Sequence, residues 1–181
     1  MKLREHAVLM AGYNRWMNDK VYEAAARLPH EAVVEDRGAF FGSILGTLNH
    51  LLAADLIWLH RFARHHPARF EALVPILDTA PPTAIDQQLH DRLAPLRAQR
   101  SELDARIEDW AGCLTDADLD HVLAYANTKG VVSHRDFGGL LMHFFNHQTH
   151  HRGQVTTLLT QAGEDVGATD LLLLLPQHAS G

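Results

Sequence analysis

From Leu140 to Val155 the chain reads Leu-Leu-Met-His-Phe-Phe-Asn-His-Gln-Thr-His-His-Arg-Gly-Gln-Val, a segment that carries His143, His147, His150 and His151. Steps of three and four residues from Leu140 pass through Phe144, His147, His151, Val155 and Leu158. Every other member of that stripe is apolar, so helical periodicity turns His147 and His151 towards the protein interior. The neighbouring stripe, through His143, Asn146, His150, Gln154 and Thr157, is polar throughout and is expected to face water or a partner surface. Two imidazoles one turn apart on a helix can aim at a common point. Left buried and unpaired, each would forgo hydrogen bonds worth about 1–3 kcal/mol. A divalent metal satisfies both at once, and the i, i+4 histidine pair is a metal-binding spacing.

A metal takes more ligands than two. His50 is the best third candidate, in the middle of another helical segment where Gly46, Ala53 and Ala54 leave room for a neighbouring helix or an ion. His60, His65 and His66 lie near the end of that segment, and His30, His90, His121, His134 and His178 read as loop or surface. Three neutral histidines with open positions resemble the sets that hold catalytic zinc with water at the vacant site. Nitrogen ligation also suits nickel, copper or iron, so the residues do not choose the metal. Other chemistries are excluded. The residue after His147 is Gln148, not the Glu of a His-Glu-x-x-His protease, and an amide is no general base. No Glu-x-x-His motif of di-iron bundles occurs, nor a Gly-rich phosphate loop or a Gly-x-Ser-x-Gly elbow. Cys113 follows Gly112 with no activating neighbour and reads as structural.

The elements that must position these histidines are helical. A first helix is expected from Arg4 to about Leu28, stopped by Pro29, and a second over about residues 39–65, stopped by Pro67. A third is expected after Pro81-Pro82, with Thr83 as N-cap, running to about Trp110 with a kink or break at Pro95 and closed by Gly112. The stretch Leu119 to Phe137 alternates at Val122, Ala124 and Ala126 around Asn127-Thr128-Lys129-Gly130 and reads as a short β-hairpin. The fourth long helix spans about Asp136 to Ala162, before Gly163. The expected class is all-α, a four-helix bundle with a small β-hairpin before the last long helix, as a single domain over residues 1–181. Leu171 to Leu175 either closes the core, the favoured reading, or lines an interface.

Composition agrees with such a fold. The chain has 181 residues, 46% of them hydrophobic, and a formal net charge of −6 that its 14 histidines can reverse at low pH. That acidity argues against a nucleic-acid partner. A single cysteine asks for no oxidising compartment, and no apolar run approaches the roughly 18 residues of a membrane span. Without a signal-like N-terminus, the expectation is a soluble, cytoplasmic protein with no membrane partner.

The block His143 to Gln154 closely resembles the signature of DinB-like proteins, the DNA-damage-inducible, YfiT-type metalloprotein family. The likeness extends to Tyr13-Asn14-Arg15-Trp16, to Asn49-His50 and Asp55 to Trp58, to Tyr125 and Gly130, and to Thr169-Asp170-Leu171, and so spans nearly the whole chain. The resemblance implies a four-helix bundle, often a homodimer, with one divalent metal on three histidines. Its ligands fall on His50, His147 and His151. Relatives with known chemistry are thiol S-transferases and a mycothiol-dependent maleylpyruvate isomerase, which implies a metal (zinc, nickel or iron) that activates a low-molecular-weight thiol towards an electrophile. Asn49, Asp55, Tyr125, Asn146 or Gln148 are candidates to surround the ligands, and no catalytic group is assigned. Two other readings compete: a non-catalytic metal-binding stress-response protein whose site closes with a fourth protein ligand, and an interaction module with a structural histidine pair.

Overall fold

The computed structural model describes residues 1–65, 68–127 and 129–177. His66, Pro67, Thr128 and His178, which figure in the sequence reading, lie outside the described residues. Four long helices make the bundle: α1 (Leu3–Ala26), α3 (Ile44–His65), α4 (Leu93–Cys113) and α6 (Phe137–Gln161). Shorter helices, α2 (His30–Val34) and α5 (Asp116–Leu119), and 3-10 turns at Glu71–Asp78 and Leu171–Leu174 fill the connections. α1 packs on α4 and α6, and α3 packs on α6 and α4, which closes the ring of four. Strands β1 (Val122–Ala126) and β2 (Val132–Asp136) pair antiparallel, from Val122 opposite Asp136 to Ala126 opposite Val132. Asn127 closes their turn by accepting N–H bonds from Lys129 and Val131 on Oδ1, at 2.9 and 3.0 Å.

α3 is the central helix, buried along almost its whole length from Ile44 to Ala63. Its ring at Phe62 meets Trp110 of α4 and Phe137 and Phe144 of α6 at centroid distances of 5.4, 5.1 and 5.9 Å. On α1 the buried positions Ala7, Met10, Asn14, Met17, Val21 and Ala24 recur at steps of three and four. The Tyr13 hydroxyl of α1 donates to the Thr169 carbonyl at 2.7 Å and ties down the C-terminal segment. α6 ends where Gly163 takes φ +89°, with Gly163 N–H donating to Thr160 O and Glu164 N–H to Leu159 O. That paired pattern is the Schellman motif, which favours glycine at its left-handed position. Among the described residues no helix is long and apolar enough to cross a membrane.

Three expectations need correction. The third helix begins at Leu93 rather than near Thr83, whose N–H and hydroxyl bond to Gln87 Oε1 instead. Pro95 therefore sits in the first turn, where no intrahelical N–H partner is lost, and it neither kinks nor breaks the helix. That helix also runs past Gly112 to Cys113. The second long helix starts at Ile44, because residues 39–42 fold into a turn with an Ala39–Gly42 bridge. Of the leucine run, only Leu171 packs against the core, while Leu172 and Leu173 are 72% and 59% exposed. A single 3-10 turn cannot present all its side chains to one face.

The start of α3 is built for close approach. Ser43 Oγ accepts the Gly46 N–H at 3.0 Å, an N-cap bond. A Cβ at Gly46 would collide with the Phe41 carbonyl oxygen. The absent side chain lets the 39–43 turn fold over the helix and lay Phe41 on His50. Gly46→Ala is expected to destabilise the protein by about 1–3 kcal/mol, measured by urea denaturation, and to lift Phe41 away from His50.

Candidate metal centre

Three histidines from two helices meet at one side of the bundle. His50 comes from the middle of α3 and is buried, and His147 and His151 come from successive turns of α6 and are half-buried. The Nε2 atoms of His50 and His147 stand 3.2 Å apart, and one nitrogen from each of the three rings lies within 4.8 Å of the other two. A metal bound tetrahedrally at about 2.0–2.1 Å separates two ligand nitrogens by about 3.4 Å, so the spacing suits an ion at their meeting point. Among the described residues no fourth His, Cys, Asp or Glu joins the cluster.

Two of the rings are held by their remote nitrogens. His50 Nδ1–H donates to the Ile85 carbonyl at 2.6 Å, and His151 Nδ1–H donates to Gln154 Oε1 at 2.8 Å. Each bond selects the tautomer that leaves an Nε2 lone pair facing the cluster. Ile85 belongs to an irregular segment clasped from α3 by Asn49. Its Oδ1 accepts the N–H groups of Leu89 and His90 at 2.8 and 2.9 Å, and its Nδ2 donates to Leu45 O and His90 O. Phe41 stacks on His50 at 3.8 Å and 15° and stands edge-on to His151 at 5.6 Å.

Beneath the histidines runs a buried polar seam. Gln148 Nε2 donates to Asp55 Oδ2 at 2.8 Å, and Arg100 bonds the same oxygen at 2.6 Å and Asp104 at 2.7 Å. Asp104 also accepts from Asn14 and Asn18 of α1, and Arg152 of α6 donates to Asn14 Oδ1. The stripe of His147 and His151 is thus not the most deeply buried polar face of α6. The fully buried polar positions of α6 are Gln148 and Arg152, and His147 and His151 occupy the edge of that face, turned to α3. Of the surrounding candidates, Asn49 acts through the clasped segment and Asp55 and Gln148 through the seam. Tyr125 lies against Trp58 instead, with centroids 5.2 Å apart, and Asn146 is exposed. Phe41 and Ile85 were not among the candidates, and Gln154 was placed on the polar stripe rather than beside a ligand. Gln154 alone carried a signal, being three residues after His151.

With this geometry in view, comparison with known proteins is informative. The sequence profile of the DinB family matches residues 3–178. The chain belongs to the DinB family. Protein DinB of Bacillus subtilis (strain 168) is 26% identical over 173 residues, covering 96% of this chain and 95% of that protein. No solved structure matches the chain at a significant level.

In this DinB-family chain the imidazoles are held in the form that binds metals. Burial lowers the pKa of His147 to about 3 and of His50 to about 4, with the neighbouring rings adding to the effect, and burial also lowers that of His151. Burial lowers His60 and His143 as well. Without metal, the fold resists protonation of these five relative to the unfolded chain, whose imidazoles take up protons below pH 6.5. Two carboxyls oppose them: Asp55, pushed up by burial to about 6 against Arg100 and Gln148 and so acting below about pH 6, and Asp19, also raised by burial. The imidazoles outnumber the carboxyls, so the urea midpoint of the metal-free protein is expected to fall as pH drops from 6.5 towards 4.

Proposed function

We propose that this DinB-family protein is a divalent-metal enzyme that transfers a low-molecular-weight thiol to an electrophile. The observation that carries the reading is the convergence of three neutral imidazoles, two of them oriented through Nδ1. His50, His147 and His151 would hold the ion. Three protein donors leave room for an exogenous ligand, which a closed four-ligand site does not. That donor count favours an enzyme over a purely structural metal site. When bound, a divalent ion favours the thiolate of such a ligand over the thiol, and the thiolate is the nucleophile. The thiol itself comes from the likeness to thiol S-transferases and to a mycothiol-dependent isomerase.

The chain's own residues supply positioning and electrostatics. The Ile85 carbonyl and Gln154 hold ring orientation without adding charge, so the site keeps the full positive charge of whatever ion it takes. Phe41 covers one face of His50 and keeps water from that side. We extend the proposal to a homodimer, supported by the apolar surface that Leu172 and Leu173 expose.

Protein purified without a histidine tag is expected to carry about one equivalent of a transition metal, and His147→Ala to carry none. Gln154→Ala is expected to keep the site but weaken metal affinity by about 10–100-fold, measured by competition with a chelator. Thiol-dependent activity should disappear with the metal and return on reconstitution, and activity that survives metal removal contradicts the reading. Light scattering should return twice the chain mass of 20.2 kDa, and a monomer mass removes the dimer.

A further inference from the structure

A pocket of about 470 Å³ lies between α3, the hairpin and the first turns of α6. Its walls are aromatic. The Trp58 ring stands 5.2 Å from Tyr125 and 5.3 Å from His143, and Leu140 adds an aliphatic side chain. His143 is the link to the metal centre, with its ring 6.0 Å from that of His147.

Two guanidiniums, Arg135 and Arg61, and one carboxylate, Asp136, border this pocket. Leu123 pairs with Arg135 and Tyr125 with Ser133, so alternation puts Tyr125 and Arg135 on one face of the hairpin. Asp136, the carboxylate among the lining residues, pairs with Val122 and belongs to the opposite face. Among the described residues, the Arg135 guanidinium, the Tyr125 hydroxyl and the Trp58 indole N–H have no hydrogen bond or ion pair within the chain. A second guanidinium, that of Arg61, lies over both aromatic rings, 4.5 Å from the Trp58 centroid and 4.9 Å from that of Tyr125. It adds positive charge to the same wall and draws on the electron density of both rings.

Gly139 completes the enclosure. A Cβ on its neighbour Gly138 would meet Leu3 at 2.8 Å and the Leu119 carbonyl at 3.3 Å, whereas one on Gly139 would meet nothing within 4 Å. Packing therefore accounts for the glycine at 138 and not for the one at 139, although a helical glycine costs about 1 kcal/mol relative to alanine. Gly139 lines the pocket, and a larger side chain there would extend into open space.

We propose that this pocket binds a small organic anion with a flat aromatic or conjugated body, its acidic group on Arg135 and its body among Trp58, Tyr125 and His143. As the seat of the electrophile that reacts at the histidine centre, it rests on the metal-enzyme reading; as a binding site, it does not. Donors left free by the fold, an aromatic enclosure and two guanidiniums without carboxylate partners are complementary to such a molecule.

The test is calorimetric titration of the full chain with trans-cinnamate and with its uncharged amide, with metal content measured on the same samples. Cinnamate is expected to bind about three- to ten-fold more tightly than the amide, and Arg135→Gln to abolish that preference while leaving amide binding unchanged. Gly139→Leu should weaken both by about ten-fold or more, with circular dichroism and metal content unaltered. Equal affinity for acid and amide, or undiminished binding in a folded Gly139→Leu protein, overturns the proposal. Should that variant lose its fold, the Arg135→Gln comparison decides alone. His147→Ala separates the two readings: it removes the metal but should retain cinnamate binding, so failure of the metal centre and failure of the pocket give different results.

Discussion

The roll of α6 about its own axis is the constraint on which the site depends, and two buried polar side chains set it. Gln148 reaches Asp55 on α3, and Arg152, one turn later, reaches Asn14 on α1. Successive residues on a helix differ by about 100° in direction. Burying 148 and 152 against the seam therefore puts 147 and 151 on the flank that faces α3, where His50 waits. A roll in either direction would part Arg152 from Asn14 and Gln148 from Asp55 in the interior, at about 1–3 kcal/mol for each buried polar group left unmet and more where it is charged. A seam of this kind adds little net stability beside a well-packed apolar core. Its effect here is to penalise every arrangement of α3 and α6 except the one that brings the three imidazoles together.

Orientation of the rings follows a second rule. The partners of His50 Nδ1 and His151 Nδ1 are a backbone carbonyl and an amide, both neutral. A carboxylate in either place would raise the imidazole pKa and offset the charge of a bound cation. Neutral acceptors fix the tautomer and leave the burial-lowered pKa values in place. The carbonyl is supplied by a segment without regular structure, which holds its place because Asn49 uses its amide on both sides of Leu89 and His90. Asn49 and His50 are adjacent in sequence, so α3 carries both a ligand-type side chain and the clasp that aims it.

The small hairpin gives the bundle an asymmetric edge. Two strands alone are marginal in water, and this pair is anchored where Leu123 is buried and Tyr125 meets Trp58. The Phe137 N–H donates back to the His121 carbonyl at 2.9 Å, so the hairpin runs directly into α6. A rigid junction of strand and helix sets Arg135 and Gly139 at one pocket, with Gly139 about two helical turns before His147.

Much of this was legible in order along the chain. Helical periodicity located the four long helices, Gly163 ended the last one, and Asn127 and Gly130 marked the hairpin turn, because these signals are local and act through backbone conformation. The i, i+4 spacing of His147 and His151 and the small residues around His50 singled out the three histidines. Asp55 and Gln148 stood among the candidates around the ligands, but the pairing of the seam escaped, because polar residues such as Gln148 and Arg152 pattern as surface, and only partners distant in sequence (Asp55, Arg100, Asn14 and Asp104) make their burial tolerable. Phe41 and the Ile85 carbonyl escaped for a related reason: neither has a type or spacing that marks it, and each reaches His50 through a turn whose path depends on Gly46 or Asn49. Sequence determined which residues could meet, through periods set by the backbone; tertiary structure alone decided the facing of each helix, because the energy of buried polar pairs belongs to both partners and is written at neither position.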